Sequence, residues 1–118
     1  MIQVTPQMRV LVAVEPAYFR CGIDGLARRV RAALASDPFS GGLFVFRNRR
    51  ATAVKLLVYD GRGYWLCHKR LSTGRFRFWP QARGAHSAQA LEAHELQVLL
   101  SGGDFAAVQA APLWRRIV

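Results

Sequence analysis

A chain of 118 residues, 52% of them hydrophobic, has the length of one domain and enough apolar material to bury a core without staples. Its 17 Lys and Arg against 7 Asp and Glu leave a formal net charge of +10, a field that attracts polyanions: nucleic acid first, then acidic protein surfaces or anionic membranes. Cys21 and Cys67 lack CxxC spacing and are too few for a disulfide scaffold, and no run approaches the roughly 18 to 20 apolar residues of a membrane span. With no signal-peptide pattern around Arg9, the expected location is the cytoplasm.

The β-branched segment Met8 to Val14 predicts a strand that closes at Glu15-Pro16, where proline removes a ladder donor. From Ile23 to Ala35, apolar residues at Ile23, Leu26, Ala27, Val30 and Leu34 line one helical face. Arg28, Arg29 and Arg31 fall on the other side, where charge is the default of a solvated face. Asp37-Pro38 and Gly41-Gly42 stop that helix and turn the chain back.

The stretch from Leu43 to Pro80 organises the rest. Leu43 to Phe46 is continuously apolar, as in a strand covered on both faces, and Val54 to Tyr59 is the next strand. Asp60-Gly61-Arg62-Gly63 is a hairpin signal, so Tyr64 to Leu71 returns antiparallel. Period two places Tyr64, Leu66, His68 and Arg70 on one face and Trp65, Cys67, Lys69 and Leu71 on the other. Arg75-Phe76-Arg77-Phe78 also alternates, which predicts a further strand with both phenylalanines on one side. Phe44, Phe46, Phe76 and Phe78 are expected in the core; Trp65 and Trp79 are open to core packing or to stacking on a ligand.

Gln81 to Ala90 reads as a loop or an edge strand. Glu92 to Ser101 carries Leu96, Leu99 and Leu100 at helical spacing before Gly102-Gly103, a short second helix, and Pro112 to Val118 is a tail of apolar anchors with two more cations.

Catalytic chemistry finds little company in this sequence. His68, His86 and His94 show no metal-ligand spacing, there is no phosphate-binding glycine motif, and Asp24, Asp37, Asp60 and Glu92 stand at helix ends and turns where structure explains an acid. Neither a metal nor a cofactor is expected. The candidate DNA-binding set is Arg47, Arg49 and Arg50 in one loop, Lys55, Arg62, Lys69 and Arg70 on the hairpin, and Arg75 with Arg77 beyond it. Tyr59, Tyr64, Trp65 or Trp79 could stack at its margin.

A series of motifs brings these parts together: Phe19 to Leu26 (FRCGIDGL), Asp37 to Phe46 (DPFSGGLFVF), Asn48-Arg49-Arg50, Lys55-Leu56-Leu57, Lys69-Arg70-Leu71, Gly74-Arg75-Phe76, Trp79-Pro80 and Glu95 to Gly102. In this order the chain resembles the TnpB accessory proteins, encoded by the second open reading frame of insertion sequences of family sixty-six. It departs from the family's pattern at Tyr18, where an aspartate is usual, and at Ala51-Thr52, where charge is common. The resemblance implies a non-catalytic role in transposition beside a separate transposase.

The expectation is therefore an α+β domain spanning residues 1–118: a small antiparallel β-meander with one main amphipathic helix and a short C-terminal helix. It would assist transposition in the bacterial cytoplasm, binding DNA, either the element ends or nonspecific duplex, alongside the transposase, without a membrane. The alternative is an adaptor that docks the transposase and does not bind DNA directly.

Overall fold

The computed structural model describes residues 4–81, 84 and 87–110. The β-branched opening forms β1 (Val10–Ala13), and the apolar run behind Gly41-Gly42 forms β2 (Leu43–Arg47). β3 (Ala53–Tyr59) and β4 (Tyr64–Arg70) are the two arms of the Asp-Gly hairpin, and β5 (Ala88–Leu91) is the edge strand within the stretch read as loop or edge. Together they make a five-stranded sheet in the order β4-β3-β2-β1-β5.

β2, β3 and β4 are the antiparallel meander that the sequence predicts. The sheet as a whole is mixed, because β1 lies parallel to β2 and β5 antiparallel to β1. A parallel pair needs a crossover, and α1 (Ile23–Ala32) is that crossover. Two further helices, α2 (Ala93–Leu100) and α3 (Phe105–Ala110), follow the sheet. The architecture is α+β. The short helix between Glu92 and Ser101 is α2; α3 is an addition to the predicted elements, begun by Asp104, whose Oδ1 accepts the Ala106 N–H at 3.0 Å. The tail 112–118 lies outside the described residues.

Every residue of β1 is buried because the sheet is covered on both faces. Period two sorts them: Leu11, Ala13, Phe44, Phe46 and Leu57 meet Leu26, Ala27 and Val30 of α1. On the other face Val10, Val12, Leu43, Val45, Val54, Leu56 and Val58 meet Leu96 and Leu99 of α2, Phe105 of α3, and Phe76 with Trp79. Each such aliphatic or aromatic side chain contributes roughly 1.5–3 kcal/mol on full burial.

One predicted strand does not form. Arg75 to Phe78 has no ladder partner, and its phenylalanines part company, Phe76 at 2% exposure and Phe78 at 44%. Long-range hydrogen bonds override the alternation: the Phe76 N–H donates to Ala51 O at 2.7 Å, and the buried Trp79 Nε1 donates to Ala13 O at 2.8 Å. These bonds draw the segment across the end of the sheet instead of along β4. Trp79 is core. Among the described residues, the outer edge of β4 has no neighbouring strand.

Candidate nucleic-acid interface

The turn between β2 and β3 is built around Asn48. Its Oδ1 accepts the N–H of Thr52 at 2.9 Å and of Ala53 at 3.1 Å, and its Nδ2 donates to Thr52 Oγ1 at 2.9 Å. Ala51 takes a left-handed conformation with φ 56° while buried. That conformation costs an L-residue roughly 1–2 kcal/mol, so it persists because the surroundings impose it. With both shoulders of the turn tied down, Arg49 and Arg50 between them are exposed.

Three chain segments meet at this end of the sheet. Arg70, the last residue of β4, is in register with Ala53, and Leu71 N–H donates to Thr52 O at 2.9 Å. Phe76 N–H reaches Ala51, which sets Arg75 and Arg77 on either side of a buried ring that faces the same turn. Arg49, Arg50, Arg70, Arg75 and Arg77 are all exposed there.

The other members of the predicted set stand elsewhere. Lys55 is 9% exposed on the α1 side of the sheet, with Nζ donating to Phe19 O at 2.8 Å and Cys21 O at 3.1 Å and lying 4.9 Å from the centre of the Phe19 ring. It pins the 19–21 segment to the sheet. The Arg47 guanidinium donates to Asn48 O, Arg49 O and Val14 O at 3.2–3.4 Å, and its Nε is buried without a partner. Lys69 and Arg70 do point to opposite faces: Lys69 Nζ donates to Leu100 O at 2.8 Å, satisfying a carbonyl at the C-terminus of α2. Arg62 sits at the tip of the β3–β4 hairpin, about 20 Å along the strands from Arg70.

Among the described residues, four cations outside the predicted set are exposed: Arg9 ahead of β1, Arg20 in the 17–21 segment, and Arg28 and Arg31 on α1. Arg20 lies 6.0 Å from the ring of the exposed Tyr18, and its neighbour Phe19 packs edge-on against His68 of β4 at 5.5 Å. The FRCG motif was the signal for this segment. Arg29 and Arg31 are less free: Arg29 donates to Pro16 O at 3.3 Å, and Arg31 lies 5.3 Å from the Phe39 ring. Trp65 is 42% exposed, but its Nε1 donates to Asp60 Oδ2 at 2.8 Å, which fixes the indole against the hairpin turn.

Residues 8–110 match the family model described as IS66 Orf2 like protein. The chain belongs to the IS66 Orf2-like family. Two relatives come from Sinorhizobium fredii (strain NBRC 101917 / NGR234), both described as uncharacterized. Protein y4jC is 36% identical over 108 residues, covering 92% of this chain and 90% of the relative. Protein y4hO is 43% identical over 98 residues, covering 83% of each. No solved structure matches.

Membership supports an accessory role in transposition, in a family of accessory proteins that is not a known catalytic one. Several acids of this IS66 Orf2-like chain stand at turns and helix starts. Asp37 Oδ1 accepts the Phe39 N–H at 2.9 Å, Glu95 Oε1 accepts the Glu92 N–H at 2.7 Å at the start of α2, and Asp24 lies in the first turn of α1. Hydrogen bonds from the Arg62 N–H, the Trp65 indole and the Gly63 N–H hold the Asp60 carboxyl below the usual carboxylate range. Among the described residues no three His, Cys, Asp or Glu side chains gather to hold a metal, and no helix is long and apolar enough to cross a membrane.

Proposed function

We propose that this IS66 Orf2-like protein assists transposition by binding DNA phosphates through Arg49, Arg50, Arg70, Arg75 and Arg77, alongside the transposase of the same element. What supports this reading is that exposed arginines are carried by three segments whose backbones meet at one end of the sheet, beside a turn that the Asn48 side chain holds by hydrogen bonds. A turn backbone already fixed has less freedom to lose when its arginines meet a phosphate backbone. Guanidinium forks match phosphate oxygens in two-point geometry.

Phosphate contacts position a protein on DNA without reading sequence, so the affinity is mostly electrostatic and steeply salt-dependent. The test is binding of the full chain to a labelled terminal inverted repeat of the element and to a scrambled duplex, at several salt concentrations. Salt-sensitive binding to both duplexes is expected, with a log–log slope of about 0.9 for each phosphate contacted. A marked preference for the terminal repeat would add base readout to the role. Failure to bind either duplex overturns the DNA reading and leaves the adaptor that docks the transposase.

A further inference from the structure

β4 ends the sheet, and hydrogen-bond parity identifies which of its backbone groups are unused. Asp60 N–H donates to Gly63 O at 3.0 Å and Leu71 N–H to Thr52 O at 2.9 Å. Every second residue between these bonds faces β3: Trp65, Cys67 and Lys69, opposite Val58, Leu56 and Val54. The N–H and C=O groups of Tyr64, Leu66, His68 and Arg70 point outward. Among the described residues no backbone hydrogen bond from a turn or loop reaches them.

Proteins usually blunt an open edge by keeping it short, bulged, covered or interrupted by proline. β4 has seven residues, no proline, and pairs with β3 residue for residue without a bulge, whereas the opposite edge strand, β5, has four. Charge is the one guard present on β4. Lys69 and Arg70 repel a second copy of the same basic edge, and residues 111–118 of this chain carry Arg115 and Arg116 and no acid. The same charges attract an acidic strand.

The side chains on the α1 face of β4 grade from aromatic to basic. At the hairpin end Tyr64 lies 5.1 Å from Tyr59 and 5.6 Å from Phe39, ring centre to ring centre, and Phe39 is 49% exposed. At the other end His68 and Arg70 are exposed on that face. We propose that β4 takes on an additional strand from a partner protein: an extended segment with an apolar side chain opposite Tyr64 and acidic side chains opposite His68 and Arg70. Backbone pairing supplies the adhesion, and the alternate side chains supply the selectivity. The docked strand shares Arg70 with the proposed DNA surface but does not depend on DNA binding, and its test contains no nucleic acid.

The probe is a labelled synthetic peptide of about eight residues, alternating threonine with one phenylalanine, one valine and two glutamates, titrated into the full chain and followed by fluorescence anisotropy. Saturable binding is expected, weakened about tenfold or more when both glutamates become lysines. Binding is lost when alternate ladder amides of the peptide are N-methylated, since the side chains stay and the pairing goes. Amide hydrogen exchange supplies the second readout: Tyr64, Leu66, His68 and Arg70 slow on peptide addition, while Trp65, Cys67 and Lys69, already bonded to β3, keep their rates. His68→Glu with Arg70→Glu, checked for its fold by circular dichroism, reverses the preference toward the lysine peptide. No binding, equal binding of the N-methylated peptide, or protection confined to other residues overturns the proposal.

Discussion

The turns at the two ends of β3 both display arginine, and they hold their shape by different means. At Asp60-Gly61-Arg62-Gly63 the shape is local. Gly61 takes the positive φ of 96°, and the Asp60 carboxylate gathers the N–H groups of Arg62 and Gly63 and the Trp65 indole within five residues. In the Asn48 to Thr52 turn the Asn48 side chain supplies a local clamp of the same reach, but the left-handed position belongs to an alanine, and the Ala51 carbonyl is held by Phe76 from a distant segment. The hairpin tip is held within its own turn; the arginine turn is held in addition by the 76–79 segment.

Removing the distant clamp should cost the most. Trp79→Ala opens the core beneath the arginine turn and drops the bond to Ala13 O, with an expected loss of about 3–5 kcal/mol in a denaturant melt. An unchanged midpoint would show that the 76–79 segment is not what holds this end of the sheet together. Asn48→Ala comes next: two partly buried backbone N–H groups lose their acceptor, for about 1–3 kcal/mol. Its DNA affinity should also fall although no cation has been removed, and an unaltered affinity would mean that a rigid turn is not needed.

Asp60→Asn tests the local turn by pH. The folded carboxyl has a depressed pKa, so its stabilisation is fully present above the unfolded value of about 3.9 and is lost as the pH falls through the folded pKa. The melting difference between the parent and Asp60→Asn should therefore close in acid. A difference that persists at low pH would assign the effect to something other than the charge. The smallest change in stability is expected for Arg49→Ala with Arg50→Ala, within about 0.5 kcal/mol, since both side chains are exposed. The salt slope of DNA binding should nevertheless drop by about 1.8 if each arginine holds one phosphate. A collapse of stability in this variant would make the two arginines structural.

Local chemistry made much of the fold legible. The 3.6-residue spacing of Leu26, Ala27 and Val30 marks the buried face of α1, Asp60-Gly61 marks the hairpin, and the alternation of β4 sends Lys69 and Arg70 to opposite faces as read. The motif order announced the family that residues 8–110 match. Alternation misled at Arg75 to Phe78, where period two is present but no strand partner lies beside it. In the candidate site, the basic character of the Leu43–Pro80 stretch was plain, and the grouping of its cations was not.

Features set by near neighbours can be read from the chain directly: helical and strand periodicity, turn chemistry, the excess of positive charge and the succession of family motifs. Long-range packing set the insertion of β1 parallel to β2 and left β4, among the described residues, as the outer strand. It also decided which cations are available: Lys55 answers to the carbonyls of Phe19 and Cys21, Lys69 to that of Leu100, and Arg47 in part to that of Val14. The physical reason is that a hydrogen-bond acceptor more than thirty residues away leaves no mark on local spacing, yet it determines whether a positive charge is held by the protein or offered to a partner.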